Sequence, residues 1–105
     1  MGQNSTKIEI YGIPEEVGRC PGCMHIRSLL GSLNLPYTFY SVLNKQGSEI
    51  AYDRPLIVSL AKRAGYPTLN IRYPVIFVND EKMTNIPAFK TKLISLGYDQ
   101  DLIED

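Results

Sequence analysis

The apolar positions of this chain switch between a period of two and a period of about 3.6, and each switch marks an element. Lys7–Tyr11 alternates, with Ile8 and Ile10 on one face, and predicts a strand. Ile26, Leu29, Leu30 and Leu33 then fall at the i, i+3, i+4, i+7 spacing of a buried helical face. Pro21 suits the first turn of that helix and Pro36 ends the element. Tyr37–Val42 is aromatic and branched, and predicts a second strand. Leu43–Tyr52 is less regular and reads as a loop. Asp53 caps a second helix with Pro55 in its first turn and Ile57, Leu60, Ala61 and Ala64 on its apolar face. Lys62 and Arg63 complement that helix's C-terminus, and Gly65 and Pro67 stop it. Val75-Ile76-Phe77-Val78 is a continuous apolar run, which suits a central strand buried on both faces. Asn79–Lys82 reads as a turn and Met83-Thr84 as a short returning strand. Asn85 and Pro87 open a last helix with Phe89, Leu93 and Leu96 inward and Gly97 at its end.

The predicted order is β-α-β-α-β-β-α, an α/β fold with a four-stranded mixed sheet flanked by helices. No repeat, linker or low-complexity tract interrupts it, so residues 1–105 read as a single domain, with flexible ends at 1–6 and 99–105. The formal net charge is zero, so there is no basic field for nucleic acid or for an anionic membrane. Seven tyrosines suggest base stacking, but the basic groove that stacking needs is not evident. No apolar stretch approaches the roughly 18 residues of a membrane span, and Met1–Thr6 is polar with no secretory leader behind it. The expectation is a cytoplasmic monomer.

The chemistry concentrates in Cys20-Pro21-Gly22-Cys23, which holds both cysteines of the chain. The first strand delivers Cys20 to the opening of a helix, where free N–H groups and the helix dipole stabilise a thiolate. That lowers a thiol pKa from about 8.5 toward neutrality, and Arg19 adds a neighbouring cation. Cys23, one turn on, can resolve a mixed disulfide and is expected to be the more buried of the two. A closed zinc site needs four ligands. The single histidine, His25, is badly placed to join the cysteines, so no metal is expected, and His25 reads as an exposed first-turn residue.

These features resemble the glutaredoxins, within the thioredoxin-like fold, over nearly the whole chain. The resemblance rests on Ile8–Gly12 as the opening strand, Cys20-Pro21-Gly22-Cys23 at the start of the first helix, and Tyr73-Pro74 before Val75–Asn79. Thioredoxins usually place the Pro and Gly the other way round, after a tryptophan, and this chain has none. The short length resembles a small bacterial or phage-like member. The resemblance implies a redox-active disulfide, with Cys20 as nucleophile and Cys23 as resolving thiol. It implies that Pro74 is cis beside the pair, the alternative being a trans strand-start proline, and that the Tyr73 backbone pairs with an extended thiol peptide. Glutathione is then the reductant, with no tightly bound cofactor. The function is electron transport to protein disulfides or glutathione-mixed disulfides in cell redox homeostasis, with ribonucleotide reductase a natural client.

Two departures from the family pattern bear on glutathione. Most glutaredoxins carry Gly-Gly and then Asp before the last helix, where this chain has Thr84-Asn85-Ile86-Pro87. Thr84 and Asn85 can offer hydrogen bonds, but the charge partner for the ligand's amino group is missing. Gly22 stands where a Tyr is common and removes an aromatic wall. Arg19 and Arg72 are candidates for a glycyl carboxylate, or else solvated surface charges. Tyr11 and Tyr73 are expected to face the groove. Two alternatives stay open: a thioredoxin-like donor recharged by a reductase protein, and a glutaredoxin that binds an iron–sulfur cluster through Cys20.

Overall fold

The computed structural model of the protein describes residues 6–14, 17–18 and 20–104. The elements run β1 (Ile8–Gly12), α1 (Pro21–Ser32), β2 (Thr38–Ser41), β3 (Leu43–Gln46), β4 (Glu49–Tyr52), α2 (Arg54–Ala64), β5 (Val75–Val78), β6 (Glu81–Lys82), α3 (Ile86–Ser95) and α4 (Gln100–Glu104). The main sheet has the order β2-β1-β5-β6. β1 pairs parallel with β2, Ile10 opposite Phe39, and antiparallel with β5, Ile10 opposite Ile76. This is the expected four-stranded mixed sheet. No described helix is long and apolar enough to cross a membrane.

Strand alternation divides the core in two. Ile8 and Ile10 of β1 and Ile76 and Val78 of β5 pack with Ile26 and Leu30 of α1 and Phe89 and Leu93 of α3. Tyr11, Val75 and Phe77 point to the other face and pack with Ile57 and Leu60 of α2. Helix α2 starts and stops where the sequence says. Asp53 caps α2 by accepting the Leu56 N–H at 3.2 Å, and Gly65 ends it in the left-handed region at φ 78°.

Four expectations are corrected. Leu43–Tyr52 is a hairpin, β3 and β4 pairing antiparallel with Leu43 opposite Tyr52 and Gln46 opposite Glu49. The returning strand β6 begins at Glu81, because Asn79 and Asp80 alone form the turn, both at positive φ, as a two-residue hairpin loop requires. Leu96 caps α3 and is exposed. The C-terminal segment also differs from the flexible end expected. Residues 100–104 form α4, because Ile103 supplies an apolar anchor that is buried against the α1–α3 side of the core. Thr6 Oγ1 lies 2.9 Å from the Tyr98 hydroxyl. Residues 1–5 and 105 lie outside those described.

Glu9 is the buried acid among the described residues, and its partner comes from α2. Arg63 donates to Glu9 from both terminal nitrogens, Nη2 to Oε1 at 2.7 Å and Nη1 to Oε2 at 3.1 Å. Its guanidinium also bonds the Tyr11 hydroxyl and Asp80, and lies 3.8 Å over the Phe77 ring centroid. Arg63 therefore does more than complement a helix end: it fastens α2 to the centre of the sheet. Its hydrogen bond to Glu9 is the main cause that holds the carboxyl below the ordinary glutamate range, against the opposing cost of burial.

At its C-terminal end β1 comes very close to α1. A Cβ placed on Gly12 would meet Cys23 Sγ at 2.7 Å and the Phe39 ring at 3.1 Å. Only a glycine lets the strand pass beneath the cysteine.

Two outcomes follow from these contacts. Gly12→Ala is expected to lose about 1–3 kcal/mol through overpacking. The Gly12→Ala/Cys23→Ala double variant is expected to recover part of that loss relative to additivity, read by urea denaturation. Arg63→Ala is expected to cost on the order of 3 kcal/mol, since it leaves a buried carboxylate unpaired. The Glu9 pKa is depressed in the folded state, so its stabilisation is present above the unfolded glutamate pKa and lost as pH falls through the folded value. Denaturation midpoints across the acid range should show that loss in the parent and a weaker one in Arg63→Ala.

Candidate functional site

Helix α1 begins at Cys20, whose side chain is its cap. Cys20 Sγ accepts the Cys23 N–H at 3.2 Å, and Pro21 occupies the next position, where a missing N–H costs nothing. No acidic residue stands in the first turn of α1. A charge on Cys20 therefore meets backbone donors and the positive end of the helix dipole, unopposed by a carboxylate in that turn. The two sulfurs are bonded in the structure, with Cα atoms 5.2 Å apart. Cys20 is 6 % exposed and Cys23 1 %, the order a nucleophile and a resolving thiol require. His25 is exposed on the same helix.

Pro74 reaches this loop from the start of β5. The Tyr73–Pro74 bond is cis. A Cβ on Gly22 would lie 3.0 Å from Pro74 Cδ and 3.3 Å from Ile86 Cδ1, so Pro74 and the first residue of α3 both flank the cysteine loop. Gly22 therefore does more than remove a wall from the groove. A larger residue would have to push Pro74 or Ile86 aside.

Beside the loop runs a cleft of about 450 Å³. It brings together Arg72, Tyr73, Pro74, Thr84 and Asn85, five of the residues singled out by sequence, over a floor that includes Ile76 and Met83. Arg72, Thr84 and Asn85 are exposed, and Arg72 makes no ion pair among the described residues. Asn85 is partly occupied: its Oδ1 accepts the Ala88 N–H at 2.8 Å as the cap of α3, and its amide N–H groups make no hydrogen bond among the described residues. Burial pushes the Tyr73 phenol above its ordinary pKa, so it stays neutral. Among the described residues no carboxylate lines this cleft. Arg19 lies outside the described residues. No group of three or more His, Cys, Asp or Glu that could hold a metal comes together among those described.

Tyr11 is not in the groove. It is 5 % exposed, stacks on Tyr40 at 4.7 Å between centroids, and bonds Arg63, because the strand's alternation turns it toward α2. Sequence reasoning missed Gly12 and Ile86 as parts of the site. For Gly12 the signal was there: a glycine within a strand often marks close backbone approach. Nothing in the local pattern distinguishes Ile86 from any other helix-start residue.

No family model matches the chain. It is 67 % identical over 105 residues, all of both chains, to a protein of Enterobacteria phage T4 described as an uncharacterized 11.8 kDa protein in the Gp55-nrdG intergenic region. Among solved structures it is similar to the crystal structure of glutaredoxin 1 from Francisella tularensis complexed with cacodylate, at TM-score 0.59 and 14 % identity, over 88 % of this chain and 96 % of that one. The chain belongs to the family of the T4 11.8 kDa protein, and its fold is the thioredoxin-like fold of the glutaredoxins.

Proposed function

We propose that the protein is a dithiol–disulfide oxidoreductase that reduces protein disulfides or glutathione-mixed disulfides. The observation that carries this reading is the position of Cys20: it caps α1 in the loop that Pro74 and Ile86 of the cleft flank, with Cys23 more deeply buried one turn behind it. In the reduced protein the Cys20 thiolate attacks one sulfur of the client's disulfide. A Cys20–client disulfide forms, the client's own S–S bond breaks, and the departing sulfur takes up a proton. The Cys23 thiolate then attacks Cys20 Sγ. That step closes the Cys20–Cys23 bond and releases the second client sulfur, which is also protonated. Two electrons have moved from the protein to the client. Two molecules of glutathione reverse the balance, leaving as oxidised glutathione.

The cleft residues suit a thiol peptide. The Tyr73 backbone, next to Pro74, offers extended pairing, Thr84 and the Asn85 amide offer hydrogen bonds, and Arg72 offers a charge for a carboxylate. A reductase protein as the electron source is the second reading. It is favoured by the lack of any carboxylate in the described cleft lining to receive an amino group. A client among ribonucleotide reductases is supported by the T4 relative, which lies in the Gp55-nrdG intergenic region. A cycling thiol pair fits a reducing compartment, which supports the cytoplasm as the place of action.

Three protein forms test the chemistry. Cys20→Ser is expected to lose all turnover. Cys23→Ser is expected to keep most reduction of a glutathione-mixed disulfide, which needs one thiol, and to lose most reduction of a protein disulfide, which needs both. If Cys23→Ser loses both equally, the glutathione route fails and the reductase-coupled donor becomes the better account. Alkylation of the reduced parent across pH should find Cys20 reacting first, with an apparent pKa below the ordinary thiol value of about 8.5. First reaction at Cys23 would reverse the assigned roles.

A further inference from the structure

A second cleft, of about 620 Å³, is not used by the exchange chemistry. It shares Asn70, Ile71 and Tyr73 with the first, so the 70–73 segment belongs to both. The base of the β3–β4 hairpin contributes Leu43 and Tyr52, and the first turn of α2 contributes Arg54 and Ile57. The cleft adjoins the loop that leads to Cys20. Its Ile13 Cγ2 would stand 3.0 Å from a Cβ on Gly18, and Leu43 Cδ1 3.9 Å.

Two properties of this cleft bear on its occupant. Its rim exposes apolar surface, with Tyr52 71 % and Leu69 38 % exposed, and Ile50 on the same hairpin is 55 % exposed. Exposed apolar side chains gathered at one cleft point to an interaction site. In the described lining its charge has one sign. Arg54 is the charged residue in the described lining, and it makes no ion pair among the described residues. Lys62 lies further along the same face of α2, sharing a hollow with Arg54, and Arg72 lines the adjoining cleft. Among the described residues no acid lines the cleft. Asp53 accepts the Leu56 N–H, and Glu49 stands at the far end of the hairpin, opposite Gln46.

We propose that this hairpin-walled cleft docks the client: an extended polypeptide segment beside the client's disulfide, with apolar side chains flanked by aspartate or glutamate. A small disulfide can reach Cys20 without touching the cleft. A strand advances about 3.3 Å per residue, so a chain with its disulfide at Cys20 can place residues a few positions away along the 70–73 segment. The apolar side chains would fill the space between Tyr52 and Ile57, and the carboxylates would meet Arg54. This inference rests on the oxidoreductase reading and adds the substrate class to it.

The test uses the full chain and four disulfides. One is a synthetic peptide disulfide flanked by leucine and aspartate. The second has lysine for each aspartate, the third has serine for each leucine, and hydroxyethyl disulfide has no flanking chain. Each protein's peptide rate is divided by its own rate on hydroxyethyl disulfide. The parent is expected to favour the leucine–aspartate peptide over the other two by about tenfold, with the charge preference shrinking as salt is raised. Arg54→Glu is expected to erase or invert the preference over the lysine peptide, Arg54→Gln to halve it or more, and Tyr52→Ser to reduce the preference over the serine peptide. Equal normalised rates on all three peptides would overturn the docking proposal and leave the oxidoreductase standing. Anisotropy of labelled peptides with serine for cysteine reads docking without chemistry. Binding that is selective and lost in Arg54→Glu, with no turnover of hydroxyethyl disulfide, would keep the docking and sink the oxidoreductase reading. No selective binding and no turnover would sink both.

Discussion

The close passage of β1 beneath the first turn of α1 is the constraint on which the rest of the site depends. Cys23 Sγ occupies the place where a side chain on Gly12 would be, so the strand end, the sulfur and the helix start are held as one unit. That contact buries Cys23 and leaves Cys20 at the helix cap, where its sulfur accepts a backbone N–H. Gly22 plays the matching part on the other side, letting Pro74 and Ile86 close against the loop. Two glycines thus set the geometry of two cysteines. Their contribution is the absence of a Cβ at points where backbone or ring must approach, a use of glycine that does not depend on its turn-forming freedom.

The scaffold keeps that unit in place from both faces of the sheet. On one face, α1 and α3 pack on Ile8, Ile10, Ile76 and Val78. On the other, α2 is joined to β1 by Arg63 and Glu9, a two-point hydrogen-bonded ion pair in a setting with Arg63 stacked on Phe77. A charged pair at a half-buried site is weak evidence for net stability, since its desolvation offsets much of its attraction. Its clear effect is to fix where α2 lies along β1. Arg54 and Ile57, at the other end of the same helix, then stand beside the hairpin and the 70–73 segment. The position of the second cleft therefore depends on a contact at the far end of α2.

The main sheet and its helices were legible because each rests on a strong local signal. Alternation at Ile8 and Ile10, the run Val75–Val78, the caps at Asp53 and Asn85, and the stop at Gly65 all appear in the structure where the sequence placed them. The β3–β4 hairpin was not legible from periodicity. It carries exposed or half-exposed residues on both faces, so no apolar alternation records it, and its one short-range signal is Gly47-Ser48 at the turn, with Gly47 at φ 64°. Helix α4 was missed because a single buried residue, Ile103, anchors a short acidic segment. At the site, the cysteine pair follows from its spacing at a helix start, and the proline before β5 from the resemblance to the glutaredoxins. Gly12, Ile86 and the turn of Tyr11 toward α2 emerge only when strands and helices are brought together, since each is defined by contact with a residue distant in sequence.

The central claim is that Cys20 and Cys23 form a cycling pair, and their reduction potential tests it most directly. The purified protein would be equilibrated anaerobically across a series of thiol–disulfide buffers, and the fraction of free thiol read by alkylation and mass. The account places Cys20 at a helix start that stabilises the reduced thiolate, which predicts a two-electron transition in the range of redox-active pairs, at about −200 to −270 mV. A potential below about −300 mV, the range of structural disulfides, would contradict it.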